Sequence, residues 1–374
     1  MNVEPVTSKS GMEAFIQLPF RLYKQDPKWV PPLLSVERKM LDPRRNPFYD
    51  HSEARHFLAT SGARVVGRIS AIVNRLHNDV QKDRTGFWGY FECENEPGAA
   101  KALFEAAEGW LREKGLTRSL GPVNPSINDP CGLLIDGFGW SPFVLMTYNP
   151  PFYPAMVEAN GYRKSMDLLA WILIHDALQR MKIDRVVEMV RKRSNVTLRP
   201  MNLSRFNDEI KIVQEIYNDG WENNWGFVPM TNDEVRFMAE DLKPVLLPWF
   251  ASIAEIEGRP VGFAFALPDI NVALKKCGGS LLPFGWRHFL KSSLAKIPTC
   301  RIVALGIRKE YQRAGLGTLF YRNFIDEGLA RGYHSAELSW ILETNDLMNR
   351  PIKAMGATHY KTYRLYEKNL ESRI

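Results

Sequence analysis

Arg301-Ile-Val-Ala-Leu-Gly-Ile-Arg-Lys-Glu-Tyr-Gln-Arg-Ala-Gly-Leu-Gly-Thr318 is the stretch on which the reading of this sequence turns. Ile302, Val303, Leu305 and Ile307 make an apolar strand pattern that runs into a charged turn carrying Gln312, Gly315 and Gly317. Leu319, Phe320, Phe324, Ile325 and Leu329 then follow helical spacing. The first turn of a helix leaves backbone N–H groups without partners, at the positive end of the helix dipole. Glycines there let the backbone approach a bulky anion, so strand, glycine turn and helix together form a phosphate cradle. Arg308, Lys309 and Arg313 add positive charge nearby. An ordinary helix start would carry the same short glycine pattern, and only the context separates the two.

That context is a strand pattern at 336–342, Asn345 opening a helix pattern, apolar residues at 352–355, Gly356, and a strand pattern at 358–366. The whole run resembles the GCN5-related N-acetyltransferase (GNAT) superfamily. Its Gln/Arg-x-x-Gly-x-Gly/Ala loop reads here as Gln312, Arg313, Ala314, Gly315, Leu316 and Gly317. The resemblance implies an α/β fold (α+β), a mixed twisted sheet flanked by helices. It also implies an acyl-CoA site: diphosphate on the amides of Arg313 to Thr318, pantetheine beside Val303, Leu305 and Ile307, and Asn345 at the next helix start.

With 374 residues the chain is long enough for two domains. A hydrophobic fraction of 45% with 24% charged residues reads as globular, and a net charge of +7 suits an anionic partner such as CoA, acidic lipid or nucleic acid without choosing among them. Cys93, Cys131, Cys277 and Cys300 are scattered, and the seven histidines have no ligand spacing, so no metal is expected. The first residues lack the apolar core of a signal peptide, and the longest apolar run, 168–174, is far too short to span a bilayer. The expectation is a cytoplasmic protein, peripheral at most at the inner face of the membrane, with no nucleic-acid partner.

In chain order, a helix pattern at 11–23 and the prolines at 27, 31, 32, 43 and 47 suggest an extended arm over 1–50. Strand patterns at 56–60, 65–74 and 86–92 precede a helix at 99–114, a Gly/Pro/Asn-rich loop at 121–142, a helix at 149–160 and a strand at 168–174. A basic helix at 178–192 lies in the linker 177–195. The second half repeats the order: a strand at 196–201, helices at 207–218 and 232–242, and a hairpin over 250–267 turning at Glu257-Gly258. Val66-Gly67 matches Val261-Gly262, and Gly161 matches Gly356, at one common offset. We therefore read two tandem GNAT-like domains, 51–176 and 196–374, with an insertion at 275–297 in the second. The first domain's loop, Asn95-Glu96-Pro97-Gly98, loses an N–H donor at Pro97 and sets Glu94 and Glu96 where phosphate would sit. It is expected to be degenerate, with the acyl-CoA in the second.

Acyl transfer to an amine needs a base, because an ammonium ion has no lone pair, and it needs something to receive the leaving thiolate. Glu337, Ser339, Ile341 and Glu343 share one face on strand alternation, which makes Glu337 and Glu343 the candidate bases. An exposed carboxylate at a sheet end would look the same. Asp269 and Asn271 at the end of the hairpin are alternatives for the base, although turn formers would look the same, and Glu222 and Trp225 are candidates to line the acceptor pocket, although tryptophans there would equally pack the core. The family often carries an acidic tyrosine four residues before the closing glycine. Here that position is Ile352, and Tyr363 or Ser339 would have to substitute.

The insertion places Trp286, Phe289, Leu290, Leu294 and Ile297 on one helical face with Arg287, Lys291 and Lys296 beside it, the composition of an interfacial helix. This predicts membrane contact through 284–297, although a helix packed on the core would carry the same pattern. The layout also resembles, more loosely, the tandem bacterial ceramide synthases, which N-acylate a sphingoid base. Three functions stay open: an acyl-CoA-dependent N-acyltransferase for a primary amine, with a long-chain lipid amine as one acceptor; an N-acetyltransferase for a small amine or protein lysine; and a non-catalytic acyl-CoA-binding protein.

Overall fold

The computed structural model describes residues 1–371 and arranges them as two units. The first comprises 1–168, 278–280 and the chain from 361 on; the second comprises 169–277 and 281–360. Chain order begins with β1 (Asn2–Pro5), α1 (Lys9–Leu22), α2 (Leu34–Met40), β2 (Ser52–Ser61), β3 (Arg64–Asn74), α3 (Arg75–Gln81) and β4 (Thr85–Cys93). It continues with α4 (Pro97–Glu113), β5 (Arg118–Gly121), β6 (Leu133–Asp136), α5 (Tyr153–Ala159), β7 (Arg163–Ile174), α6 (Arg180–Arg193), β8 (Val196–Pro200), α7 (Phe206–Trp221) and α8 (Asn232–Leu242). The remaining elements are β9 (Ala251–Ile256), β10 (Arg259–Pro268), α9 (Asn271–Cys277), α10 (Lys291–Leu294), β11 (Thr299–Ile307), α11 (Leu316–Leu329), β12 (Ser335–Leu342), α12 (Asp346–Ala354) and β13 (Thr358–Asn369).

The first unit's sheet runs β1-β2-β3-β4-β5-β13, with β6 also on β13. The alternating apolar residues of β2 to β4 and one stripe of α4 (Leu103, Phe104, Ala107, Trp110, Leu111) close its core. The N-terminal arm is less extended than the prolines suggest. Ser8 caps α1, accepting from the Gly11 amide, and α2 begins immediately after Pro31-Pro32 and an extended Leu33. The sequence reading also missed β1, which adds to β2 at the sheet edge with Asn2 opposite Thr60.

The second unit's sheet runs β7-β12-β11-β10-β9-β8, contributed from the β7 side by residues 169–174. Each unit's sheet thus includes a strand segment from the other half of the sequence, and neither unit is one continuous stretch. In both, the strands before and after the long helix are parallel (β4 with β5, β11 with β12) and the hairpins antiparallel, which gives a mixed sheet. The β9–β10 hairpin turns at Glu257 and Gly258, both with positive φ (51° and 77°), the geometry that matches strand twist in a two-residue turn. The basic helix expected as a linker is a packed element: Ile183, Val187 and Val190 of α6 join the core with Leu319, Phe320 and Phe324 of α11.

The insertion differs from the predicted single helix. A 3-10 turn covers Gly285–Phe289, Leu290 is extended (φ −60°, ψ 142°), and α10 is one turn long. The Ser293 hydroxyl donates to the Arg287 carbonyl at 3.0 Å, diverting an oxygen that a continuous helix would use. The predicted stripe therefore splits: Leu294 and Ile297 are buried, Phe289 is half-buried, and Trp286 and Leu290 are exposed, as are Leu282 and Phe284 just before it.

Candidate active site

β11 delivers the chain to a 3-10 turn, Lys309–Ala314, and then to Gly315 and α11. Gly315 lies in the left-handed region (φ 78°), where a Cβ would also come within 2.9 Å of Val190. No side chain caps the 14-residue helix, and its first turn holds no acidic residue. At Gly317 a Cβ would meet only Ile307 at 3.8 Å and Leu305 at 3.9 Å. An uncapped positive helix end with open space at its second residue fits a diphosphate. The Thr318 amide is already used, donating to the Gly315 carbonyl at 3.0 Å. Gln312 acts as a strut, its amide donating to the Gly220 carbonyl at 2.7 Å and tying the turn to α7. Leu316 is buried in the core, while Arg313 and Ala314 are exposed.

The three cations predicted for the loop are not equivalent. Arg308 pairs with Glu215 at 3.1 Å, and Lys309 pairs with Glu222 while its amide donates to Asp219. Only Arg313 of the three is without an ion pair among the described residues. The sequence reading missed a compensating source. Val190 of α6 abuts Gly315, so the last turn of α6, carrying Arg191, Lys192 and Arg193, lies beside the loop. Lys192 is held by Glu188; Arg191 and Arg193 are exposed. The signal was present as a basic run, but nothing in the sequence said where it would land.

β11 and β12 form a fork. Their parallel register covers Thr299 to Ile302 against Ser335 to Leu338, yet β11 continues to Ile307 and β12 to Leu342. Just past the last pair, β11 bulges against β10: Phe265 opposes Ala304 and Ala266 opposes Ile302, which leaves Val303 as the extra residue. A bulge re-aims a backbone group, here at the mouth of a gap between strands. Leu305 and Ile307 are buried and reach toward Gly317 of α11.

Glu337 and Ser339 do come together, with two residues that sequence reasoning did not single out. Glu337 is fully buried. It accepts from the Ser339 hydroxyl at 2.5 Å and from the Tyr360 hydroxyl, and lies 3.6 Å from Arg301, its register partner on β11. Arg301 in turn donates to the Ser339 hydroxyl and carbonyl, each at 2.9 Å. A charged residue inside a strand opposite another of opposite sign was the available clue. The arrangement is a buried carboxylate hydrogen-bonded by two hydroxyls, a geometry able to pass protons, and charge-balanced by a guanidinium. Glu343 lies beyond β12, partly exposed, and its carbonyl accepts from Asn349 at 3.5 Å. Asn345 caps α12 by accepting from the Met348 amide at 3.2 Å. Tyr363 is not part of this group: it is buried in the first unit, opposite Leu134 of β6. Ile352 is fully buried core.

In the first unit α4 starts at Pro97, and Glu94 beside it is bound by Arg21 at 2.6 Å and Arg64 at 3.0 Å. Carboxylates and their own counter-ions occupy the place that the second unit leaves to an anion. Among the described residues, no group of His, Cys, Asp and Glu side chains could hold a metal, and no helix is long and apolar enough to cross a membrane.

Comparison with known proteins agrees with this geometry. A profile of the acetyltransferase (GNAT) family matches residues 210–355. The chain is 39% identical over 99% of its length to a protein of Caulobacter vibrioides (strain NA1000 / CB15N) named bacterial ceramide synthase, covering 98% of that protein. It is 38% identical over 98% of its length to protein YghO of Escherichia coli (strain K12), covering 95% of it. Among solved structures, a tandem GNAT protein from the clavulanic acid biosynthesis pathway superposes over the whole chain, and over 99% of its own, with a TM-score of 0.58 at 12% identity. The fold and these relationships together define a tandem GNAT acyltransferase. The chain belongs to the GNAT family, whose members take an acyl-CoA donor and an amine acceptor.

Proposed function

We propose that this acyltransferase N-acylates a long-chain lipid amine, meeting a membrane surface peripherally to reach it. The observation that carries the reading is the exposed apolar group on the insertion. Leu282, Phe284, Trp286 and Leu290 are 78%, 60%, 46% and 46% exposed, and Arg287 stacks over the Phe284 and Trp286 rings. Lys276, Lys291 and Lys296 flank them in the sequence and are exposed, and no acidic residue occurs between Asp269 and Glu310. Protruding aromatics beside exposed cations suit an anionic bilayer surface on the cytoplasmic side. The family relationship at 39% to a protein named ceramide synthase supports the same acceptor class.

In this reading the donor diphosphate rests on the amides before Thr318, flanked by Arg313, Arg191 and Arg193. Pantetheine runs down the fork beside Val303, Leu305 and Ile307, and the re-aimed backbone at Val303 faces the thioester carbonyl as its oxyanion develops. Glu337 draws the proton from the amine through Ser339 or Tyr360, and in this reading Tyr360 returns one to the leaving thiolate, the task for which Ile352 has no group. Glu343 at the fork mouth is the second carboxylate the amine would pass. The test is product formation by mass spectrometry with acetyl-CoA and palmitoyl-CoA, each against a C18 sphingoid base and a short diamine. Amide formed only on the short diamine, with either donor, would refute the lipid-amine reading.

A further inference from the structure

We infer that the acyl chain of the donor leaves the fork into an apolar cleft beneath α11, so that this cleft sets acyl-chain length; the inference rests on the acyl-transfer reading above. The cleft lies wholly in the second unit, between α11 and the opening halves of β11 and β12, with Leu173, Leu178 and Met355 closing it. Its walls are almost entirely carbon, and no Asp, Glu, Lys or Arg lines it. Two of its lining residues, Ile302 and Leu338, are the last hydrogen-bonded pair before the strands part.

That coincidence fixes the route. A thioester carried down the fork from the α11 N-terminus reaches the Ile302–Leu338 pair, where the sheet closes. An acetyl group ends there, but a longer chain must turn out of the sheet to one face. Strand alternation puts Arg301, Glu337 and Ser339 on one side, buried and fully engaged with one another. It puts Ile302, Ala336 and Leu338 on the other, and these open directly into the cleft. Methylenes placed against charged, dehydrated groups would gain nothing, whereas each pair of methylenes entering the apolar side raises affinity roughly tenfold. The insertion leaves β10 and rejoins at Thr299, the same end of the sheet at which the cleft residues Cys300, Ser335 and Ala336 lie.

Two fillings of the cleft test this from opposite walls. Ala336→Phe projects from β12. Gly328→Leu projects from α11, where a first carbon meets nothing closer than Tyr333 at 3.6 Å. The readout is the ratio of kcat/KM for palmitoyl-CoA to that for acetyl-CoA with one acceptor, alongside thermal denaturation to certify folding. The expected result is a ratio at least tenfold lower in either folded variant, through KM for the long donor. A ratio equal to wild type in both, or in whichever folds, overturns the cleft while leaving acyl transfer intact. Wild-type protein that binds neither thioester in calorimetry overturns the acyl-transfer reading, and the cleft with it.

Discussion

Changing Gly317 to aspartate should uncouple stability from nucleotide binding in opposite directions. Gly317 is the second residue of α11, is not at positive φ, and has room for a side chain, with its nearest contacts 3.8 Å and 3.9 Å away. A non-glycine residue there recovers up to about 0.5 kcal/mol of helix propensity, and a carboxylate in the first turn adds about 0.3–1 kcal/mol against the helix dipole. Aspartate is therefore expected to raise the melting temperature by about 2–4 °C. If a diphosphate sits on the same amides, the new charge lies roughly 5 Å from it, and at an effective dielectric constant near 20 the repulsion is about 3 kcal/mol. CoA affinity should fall roughly 30- to 150-fold, taking about 1.4 kcal/mol per factor of ten. Gly317→Asn supplies the same size without charge, so the Asp-to-Asn ratio isolates electrostatics, and that ratio should shrink at high salt. Titration calorimetry with CoA at two salt concentrations measures both. Equal CoA affinity of the Asp and Asn variants, with both folded, would remove the diphosphate from this helix and take the donor site with it.

Glu337→Gln should leave CoA affinity within about threefold of wild type and reduce kcat by roughly 100-fold or more, the usual size of a general-base contribution; an unchanged kcat in steady-state assays rules out the base. Glu337→Ala strands Arg301, which is only 4% exposed, and is expected to cost about 3–5 kcal/mol in urea unfolding. Phe284→Ser with Trp286→Ser should abolish co-sedimentation with anionic vesicles while leaving the melting temperature within about 2 °C, since both residues are solvated; retained sedimentation would move the membrane contact elsewhere. Burial, reinforced by the Arg68 guanidinium, pushes the His56 imidazole down to about 4 from the ordinary 6.5. The unfolded chain then takes up a proton first as pH falls, so the stability held above pH 6.5 is lost between 6.5 and 4, by about 3 kcal/mol at 1.36 kcal/mol per pKa unit. His56→Gln should flatten that slope in denaturant titrations at pH 7 and 4.5; a slope identical to wild type would mean that other groups carry it.

What could be read from the sequence, and what could not, divides along the range of the forces involved. The strand into Ile307, the positive-φ glycine at 315 and the periodic face of α11 are set within a few residues of one another, and the structure places them where local pattern does. So is the Glu257-Gly258 turn, whose dihedrals only short-range sterics dictate. The balance of charge around the loop is long-range. Arg308 and Lys309 look free in the sequence, because Glu215, Asp219 and Glu222 lie some ninety positions earlier and reach them only when α7 packs on β11. Arg301 and Tyr360 were passed over for the same reason, since a strand residue acquires its role from its register partner.

The insertion shows the limit of periodicity most clearly. Its apolar residues recur at helical spacing, yet Leu294 and Ile297 go inward and Trp286 and Leu290 outward, because an extended residue at 290 turns the chain between them. A periodic stripe constrains side-chain direction only while the backbone keeps one helix axis. Where the Ser293 hydroxyl competes for a carbonyl and a proline closes the segment at 298, the axis is not kept. The composition still constrains the chemistry: no carboxylate occurs across the segment, and Lys276, Arg287, Lys291 and Lys296 are exposed, which suits an anionic surface. Net charge depends on composition and shape on the backbone axis, and that is why the segment's partner is easier to argue than its shape.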